Sequence, residues 1–231
     1  MRKTLLFSAA ALAAVAPAAA AERRFSVADF DRVQVEGPYQ VTLRTGLSSG
    51  AVASGSQSAI DRLSVEVQGR SLKVRANRSA WTGSGDGGGP VAIELTTRDI
   101  ASASLNGSGR LDIDSARGLK LDLSIAGNGR LSVGRVDADT LVLALVGGGR
   151  MTLAGRAKQM RATVQGSGDL SAEGLTADDA VLFAETAGRV AFAAARTAKV
   201  RASGMGEVDI AGKATCEVQA RGGPVRCGRS R

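Results

Sequence analysis

From residue 102 onward the apolar residues of this chain fall on every second position in short runs, and the runs recur. Leu111 and Ile113 alternate with Arg110 and Asp112, Leu131 and Val133 with Arg130 and Ser132, and Met151 and Leu153 with Arg150 and Thr152. Leu170 and Ala172, Val190 and Phe192, and Val208 and Ile210 continue the series. Alternation of period two predicts strands with one buried face. A second alternating run follows in each unit, seen in Leu119, Leu121, Leu123 and Ile125, in Leu141, Leu143 and Leu145, and in Val200 and Ala202. Short polar segments separate the two runs, such as residues 115–118 and 136–139, and these read as corners.

The runs are punctuated by glycine pairs: Gly107 and Gly109, Gly127 and Gly129, Gly147 and Gly149, Gly166 and Gly168, Gly204 and Gly206. Thr186-Ala187-Gly188 holds the place of a pair with only its final glycine. Successive starts are 20, 20, 19, 20 and 18 residues apart, and an imperfect copy follows at Gly222-Gly223-Pro224. A fixed period near 20 is the mark of a solenoid. Each unit reads as strand, corner, strand, glycine corner, and stacking the units continues one apolar column. The expected fold is all-β: a single-stranded β-helix or solenoid with rungs of about 20 residues. At ~4.8 Å per rung, about six rungs make a rod segment roughly 30 Å long. Glycine costs ~1 kcal/mol against alanine in a helix, so a helical reading fails except around Ala193, Ala194 and Ala195.

Residues 22–106 read as a less regular, strand-rich N-terminal part, with the repeats of residues 107–231 continuous with it. Val33, Val35, Val41 and Leu43 flank Gly37-Pro38, and residues 63–74 read as a hairpin about Gly69-Arg70. Residues 82–89 form a flexible loop by composition. Residues 1–21 have the order of a secretory signal peptide: Arg2 and Lys3, an apolar run over residues 5–15, then Ala18 to Ala21 before Glu22. Removing them leaves 210 residues of net charge +6 and no transmembrane span in the mature chain. Export to the periplasm or cell surface brings an oxidising compartment, so Cys216 and Cys227 are expected to form a structural disulfide that pins the last rung.

Composition narrows the chemistry. The chain has no histidine, which removes the near-neutral acid/base group and the commonest metal ligand. Two cysteines without histidine build neither a four-thiolate nor a mixed zinc site. With 30 glycines and 7 aromatics among 231 residues, the interior must be built from small aliphatic side chains. The glycine pairs are followed by strands rather than helices, so they are not a dinucleotide fingerprint. Gly46-Leu47-Ser48-Ser49-Gly50 matches a nucleophile elbow in form, but no triad exists without histidine, and it reads as a turn. Carboxylate catalysis needs no histidine, yet rungs this short lack the loops that wall a cleft. Asp112, Asp114 and Asp122 read as surface groups. No catalytic residue, cofactor or metal is expected.

One chemical feature repeats with the rungs. Arg110, Arg130, Arg150 and Arg189 hold the same place in their units, interrupted by Asp169 and ended by Glu207. Stacked, they form an outward ladder that attracts polyanions or acidic glycans, or simply a solvated, shielded sheet face. Nucleic acid is not an expected partner, because interleaved aromatics are missing.

The leading strand Phe30-Asp31-Arg32-Val33-Gln34-Val35 with Gly37, then Tyr39-Gln40-Val41-Thr42-Leu43, the hairpin over 63–74 and the repeated Gly-Ser-Gly units together resemble a known family. It is the family of exported bacterial proteins labelled putative auto-transporter adhesin, head GIN domain. The likeness covers nearly all of the mature chain and departs from the family pattern at Thr186-Ala187-Gly188, where the first glycine is missing, and in the chain's richness in Ala and Arg. It implies a β-helix-like fold and an extracytoplasmic location, and no known activity. The expected role is a non-enzymatic exported solenoid that binds envelope polysaccharide or protein. The alternatives are a self-assembling envelope module, with oligomeric state unspecified, and, behind it, a carbohydrate-active enzyme.

Overall fold

The computed structural model describes residues 21–77 and 90–229. The signal segment, apart from Ala21, and the glycine-rich loop 82–89 lie outside the described residues. The N-terminal elements are β1 (Ala21–Phe25), β2 (Arg32–Glu36), β3 (Gln40–Thr45), β4 (Gly50–Gly55), the short helix α1 (Gln57–Asp61), β5 (Leu63–Gln68), β6 (Ser71–Ala76) and β7 (Ala92–Thr97). The repeat comprises β8 (Ser102–Gly107), β9 (Arg110–Gly127), β10 (Arg130–Gly147), β11 (Arg150–Gly166), β12 (Asp169–Thr186) and β13 (Val190–Gly204). It closes with β14 (Val208–Ala211), β15 (Thr215–Gly222) and β16 (Val225–Arg229). All strands join one sheet, wound into a solenoid of about six turns.

Successive coils pair in parallel and in register. Arg130 is opposite both Arg110 and Arg150, and Leu131 is opposite both Leu111 and Met151. The column Leu111, Leu131, Met151, Leu170, Val190, Val208 is buried along its whole length. The coils β9 to β13 each have three short faces rather than the two runs expected. In β10 the inward residues are Val133, then Val136 and Ala138, then Leu141, with exposed or half-buried pairs between these sets. Side chains alternate strictly along a straight strand, so each break in parity is a bend. Residues 136–139, expected as a polar corner, thus form a middle face whose Val136 and Ala138 are buried. Leu119, which the alternation placed inside, is 80% exposed because it falls at the bend into the third face.

The middle face is lined by small side chains: Ala138, Ala157, Ala177 and Ala194 are in register and buried. That explains the alanine stretch at 193–195. It is not helical but part of β13, with Ala193 and Ala194 paired to Thr176 and Ala177 of the neighbouring coil. Tertiary pairing overrides helix propensity.

The N-terminal part belongs to the same stack, built out of sequence order. Strands β2 and β3 form a coil on β8 and β9, with Gly37 N–H donating to Asn106 O at 2.9 Å. Strands β6 and β7 then stack outside β2 and β3. The chain therefore lays down one coil, builds the next one outward, and returns across both to begin the repeat. Antiparallel β5 on β6, β4 on β7 and β1 on β4 occupy the edges at this end. The hairpin expected at 63–74 is the β5–β6 pair.

The glycine corner is explained by two different constraints in one unit. Gly127 has φ +118°, and a Cβ there would lie 2.6 Å from Gly107 O. Gly129 has no positive φ, but a Cβ there would lie 2.6 Å from a Leu105 methyl and 2.8 Å from Gly109 O. The first position needs the conformation; the second needs the space. At Thr186 the conformation is not positive, and the buried threonine hydroxyl accepts the Gly188 N–H at 2.9 Å instead.

Gly127→Ala is expected to destabilise the protein by about 1–3 kcal/mol through the disfavoured conformation, with backbone contact added to it. A lowered urea midpoint with an unchanged slope checks this, while an unchanged midpoint refutes it.

Candidate functional site

The arginine ladder exists in geometry but is mostly neutralised. Arg110, Arg130 and Arg150 are direct register partners, in a row that continues from Gln40 and runs on to Asp169. Arg110 Nε donates to Asp112 at 2.5 Å, and Asp112 also accepts from the Ser132 hydroxyl. Arg150 pairs with Asp169 at 2.8 Å. Among the described residues Arg130 is the ladder member with no ion pair.

Arg189 does not extend a cationic row. It is separated from Arg150 by Asp169, and its guanidinium reaches Asp209 at 3.0 Å and Glu173 at 3.3 Å. Asp209, largely buried, also lies 3.7 Å from Arg226, which pairs with Glu207. The C-terminal half of the ladder is thus an alternating chain of charges that ties coil to coil. Asp169 is its hinge point. The side-chain hydrogen bond from Arg150, and then the Arg189 backbone N–H at 3.1 Å, hold its carboxyl below the ordinary range. The middle face repeats the theme, with Arg156 gripping both oxygens of Asp137 at 2.9 and 2.8 Å and lowering its carboxyl likewise.

The carboxylates weighed for catalysis are occupied. Asp112 is bound as above, Asp122 pairs with Lys120 at 3.2 Å, and Asp114 accepts from Thr45 N–H at 3.0 Å. Among the described residues no three metal-ligating side chains cluster. Cys216 and Cys227 are joined by a disulfide, with Cα atoms 6.5 Å apart, inside the usual range.

A second surface emerges on the outer side of the third face. Phe183 is 45% exposed on β12, in register between Thr163 and Arg201, whose guanidinium lies over the ring at 5.6 Å from its centroid. The next outward row is Gln165, Glu185, Ser203 and Arg221. Between the two rows runs an open depression of about 550 Å³. Arg201 and Arg221 have no carboxylate partner among the described residues. The signal in the sequence was the parity of Phe183: Leu182 and Ala184 take the inward positions of that run, which leaves the aromatic pointing out.

A family model described as "Putative auto-transporter adhesin, head GIN domain" matches residues 29–214. Among solved structures, the chain is similar to a "putative adhesin" from Bacteroides fragilis NCTC 9343, with TM-score 0.79 and 17% identity over 91% of this chain and 97% of that one. A "putative lipid binding protein" from Parabacteroides distasonis ATCC 8503 is similar with TM-score 0.72 and 17% identity, covering 91% and 97%. A "putative adhesin" from the same organism gives TM-score 0.70 and 19% identity over 91% and 98%. These likenesses show a shared fold. No curated protein matches the chain.

Asp169 supplies a pH test. A carboxyl lowered in the folded state stabilises above its unfolded value, near pH 4, and loses that contribution as pH falls through the lower folded value. Asp169→Asn should cost at most about 1 kcal/mol at neutral pH. Denaturation midpoints of the two proteins should converge below about pH 4, and a gap that persists in acid refutes the linkage.

Proposed function

The chain belongs to the auto-transporter adhesin head GIN domain family, and from that premise we propose that it is an exported, non-enzymatic solenoid that adheres to acidic cell-envelope polysaccharide. The observation that carries the reading is the in-register row Arg110, Arg130, Arg150 on a rigid outer sheet face, with Arg130 left without a carboxylate. With Arg110 and Arg150 each paired to one carboxylate, the row keeps the charge of Arg130 in excess, which favours an anionic ligand. Each contact is weak, so affinity comes from engaging several at once. The absence of histidine and the engagement of Asp112 and Asp122 by neighbouring cations favour binding over hydrolysis.

A second reading, self-association of an envelope module, is favoured by the C-terminal coil. β15 pairs with β13 along one edge, and Val218 on its inward parity is 41% exposed. An open coil end of this kind is a template for a second copy.

Replacing Arg110, Arg130 and Arg150 together with serine should lower the salt concentration that elutes the protein from an acidic polysaccharide matrix, and Arg130→Ser alone should give most of the shift. Unchanged elution of the triple variant overturns the ladder's role. For the second reading, small-angle scattering across a concentration series should show end-to-end growth that Val218→Glu abolishes; a monomer at every concentration rules it out.

A further inference from the structure

Resting on the glycan-binding reading above, we propose that the groove beside Phe183 is a subsite for a linear polysaccharide of carboxylate-bearing sugars, lying along the solenoid axis. Three observations converge there. Phe183 is the exposed aromatic of the repeat's outer faces, at 45% exposure on a strand whose neighbouring positions Leu182 and Ala184 are buried. The part of the ring left exposed is flat and apolar, and it packs on the C–H face of a pyranose with little loss of freedom. The Arg201 guanidinium covers another part of the ring, 5.6 Å from its centroid.

The groove walls supply the polar half of the recognition. Arg201 and Gln219 follow Phe183 on one side, and Gln165, Glu185 and Arg221 line the other. Two guanidiniums without carboxylate partners face one carboxylate, so the groove carries an excess of positive charge. A guanidinium fork matches a sugar carboxylate in two-pronged geometry, which a neutral sugar cannot use. The amides of Gln165 and Gln219 donate and accept, and Glu185 accepts from hydroxyls, as a polyhydroxylated ligand requires. The same rows cross the coils from Gln165 to Arg221, three rung steps or about 14 Å, so the groove is longer than one sugar and open at its ends. An open, mixed polar groove of about 550 Å³ suits a chain passing through rather than a small molecule enclosed.

The test is titration of the full mature chain with oligogalacturonate, followed by calorimetry and by NMR shifts of the Phe183 strand, with a neutral dextran oligomer as the control. Wild type should bind the acidic chain, shift resonances on β12, β13 and β15, and ignore dextran. Phe183→Ala and Arg201→Gln should each weaken binding by about tenfold, while Phe183→Tyr retains it. Because Phe183 is on the surface, unaltered circular dichroism and melting of the variants exclude unfolding as the cause. Binding that survives Phe183→Ala and Arg201→Gln overturns the groove while leaving the adhesive reading intact. Binding of dextran as tight as that of the acidic chain overturns the ligand class. Failure to bind oligogalacturonate at all, in a protein still retained on the acidic matrix, overturns the groove alone; loss of both removes the adhesive reading as well.

Discussion

In-register backbone pairing between successive coils is the constraint on which the rest of this structure depends. Every coil must present its amides and carbonyls to the next at ~4.8 Å, so residues one period apart are forced into contact. That is why the interior sorts into columns, Leu111 over Leu131 over Met151, and why the corners sort as well. A Cβ at Gly127 collides with the equivalent corner of the preceding coil, and one at Gly129 with that corner and with Leu105 of the same preceding coil. A period that varies by a residue is absorbed where the register shifts, between Val133 and Val136 on one side and Thr152 and Ala154 on the next. The bends take up the slip, and the columns on either side stay aligned.

Much of this was legible because the signal is periodic. Alternation named the strands, and glycine spacing named the coil. The hairpin over 63–74 carries its own turn. What stayed hidden depends on where the chain bends. Residues 136–139 contain two acidic side chains and read as a corner, yet Val136 and Ala138 line the core, because a face of only four residues is too short for an alternation to stand out. The same ambiguity misplaced Leu119. The stacking of β6 and β7 outside β2 and β3 was also beyond reach, since nothing in a local pattern states that a chain doubles back over its own first coil.

The charged surface follows the same logic and corrects the simplest reading of it. Stacking places identical side chains ~5 Å apart, which is unfavourable for like charges. The sequence answers by interposing carboxylates: Asp112 beside Arg110, Asp169 after Arg150, Asp209 and Glu207 beyond Arg189. Counting arginines in register overstates the field, because Arg110 is engaged by a carboxylate of its own coil and Arg150 and Arg189 by carboxylates of neighbouring coils. A partner for Arg150 sits a full period away in sequence, so the pairing is visible only once the register is known. By the same token, the outward Phe183 and the unpaired Arg201 and Arg221 look ordinary in sequence and acquire meaning only as members of two adjacent rows.

The two ends of the stack meet the edge problem differently, and the difference accounts for the disulfide. At the N-terminal end, antiparallel strands β4, β5 and β1 supply outer partners, so the coil made by β6 and β7 keeps Leu72, Val74, Ile93 and Leu95 buried. At the C-terminal end, β15 is exposed along nearly its whole length, and among the described residues Val218 has a strand partner on one side only. Ordering each residue's backbone costs about 1–2 kcal/mol, and β15 buries little apolar surface against that cost. The bond between Cys216 and Cys227 closes a separation of 11 residues and removes part of that cost from the unfolded chain, worth about 3 kcal/mol in the loop-entropy account. A covalent tie, independent of any outer neighbour, holds the last coil in place while leaving its edge open to a partner.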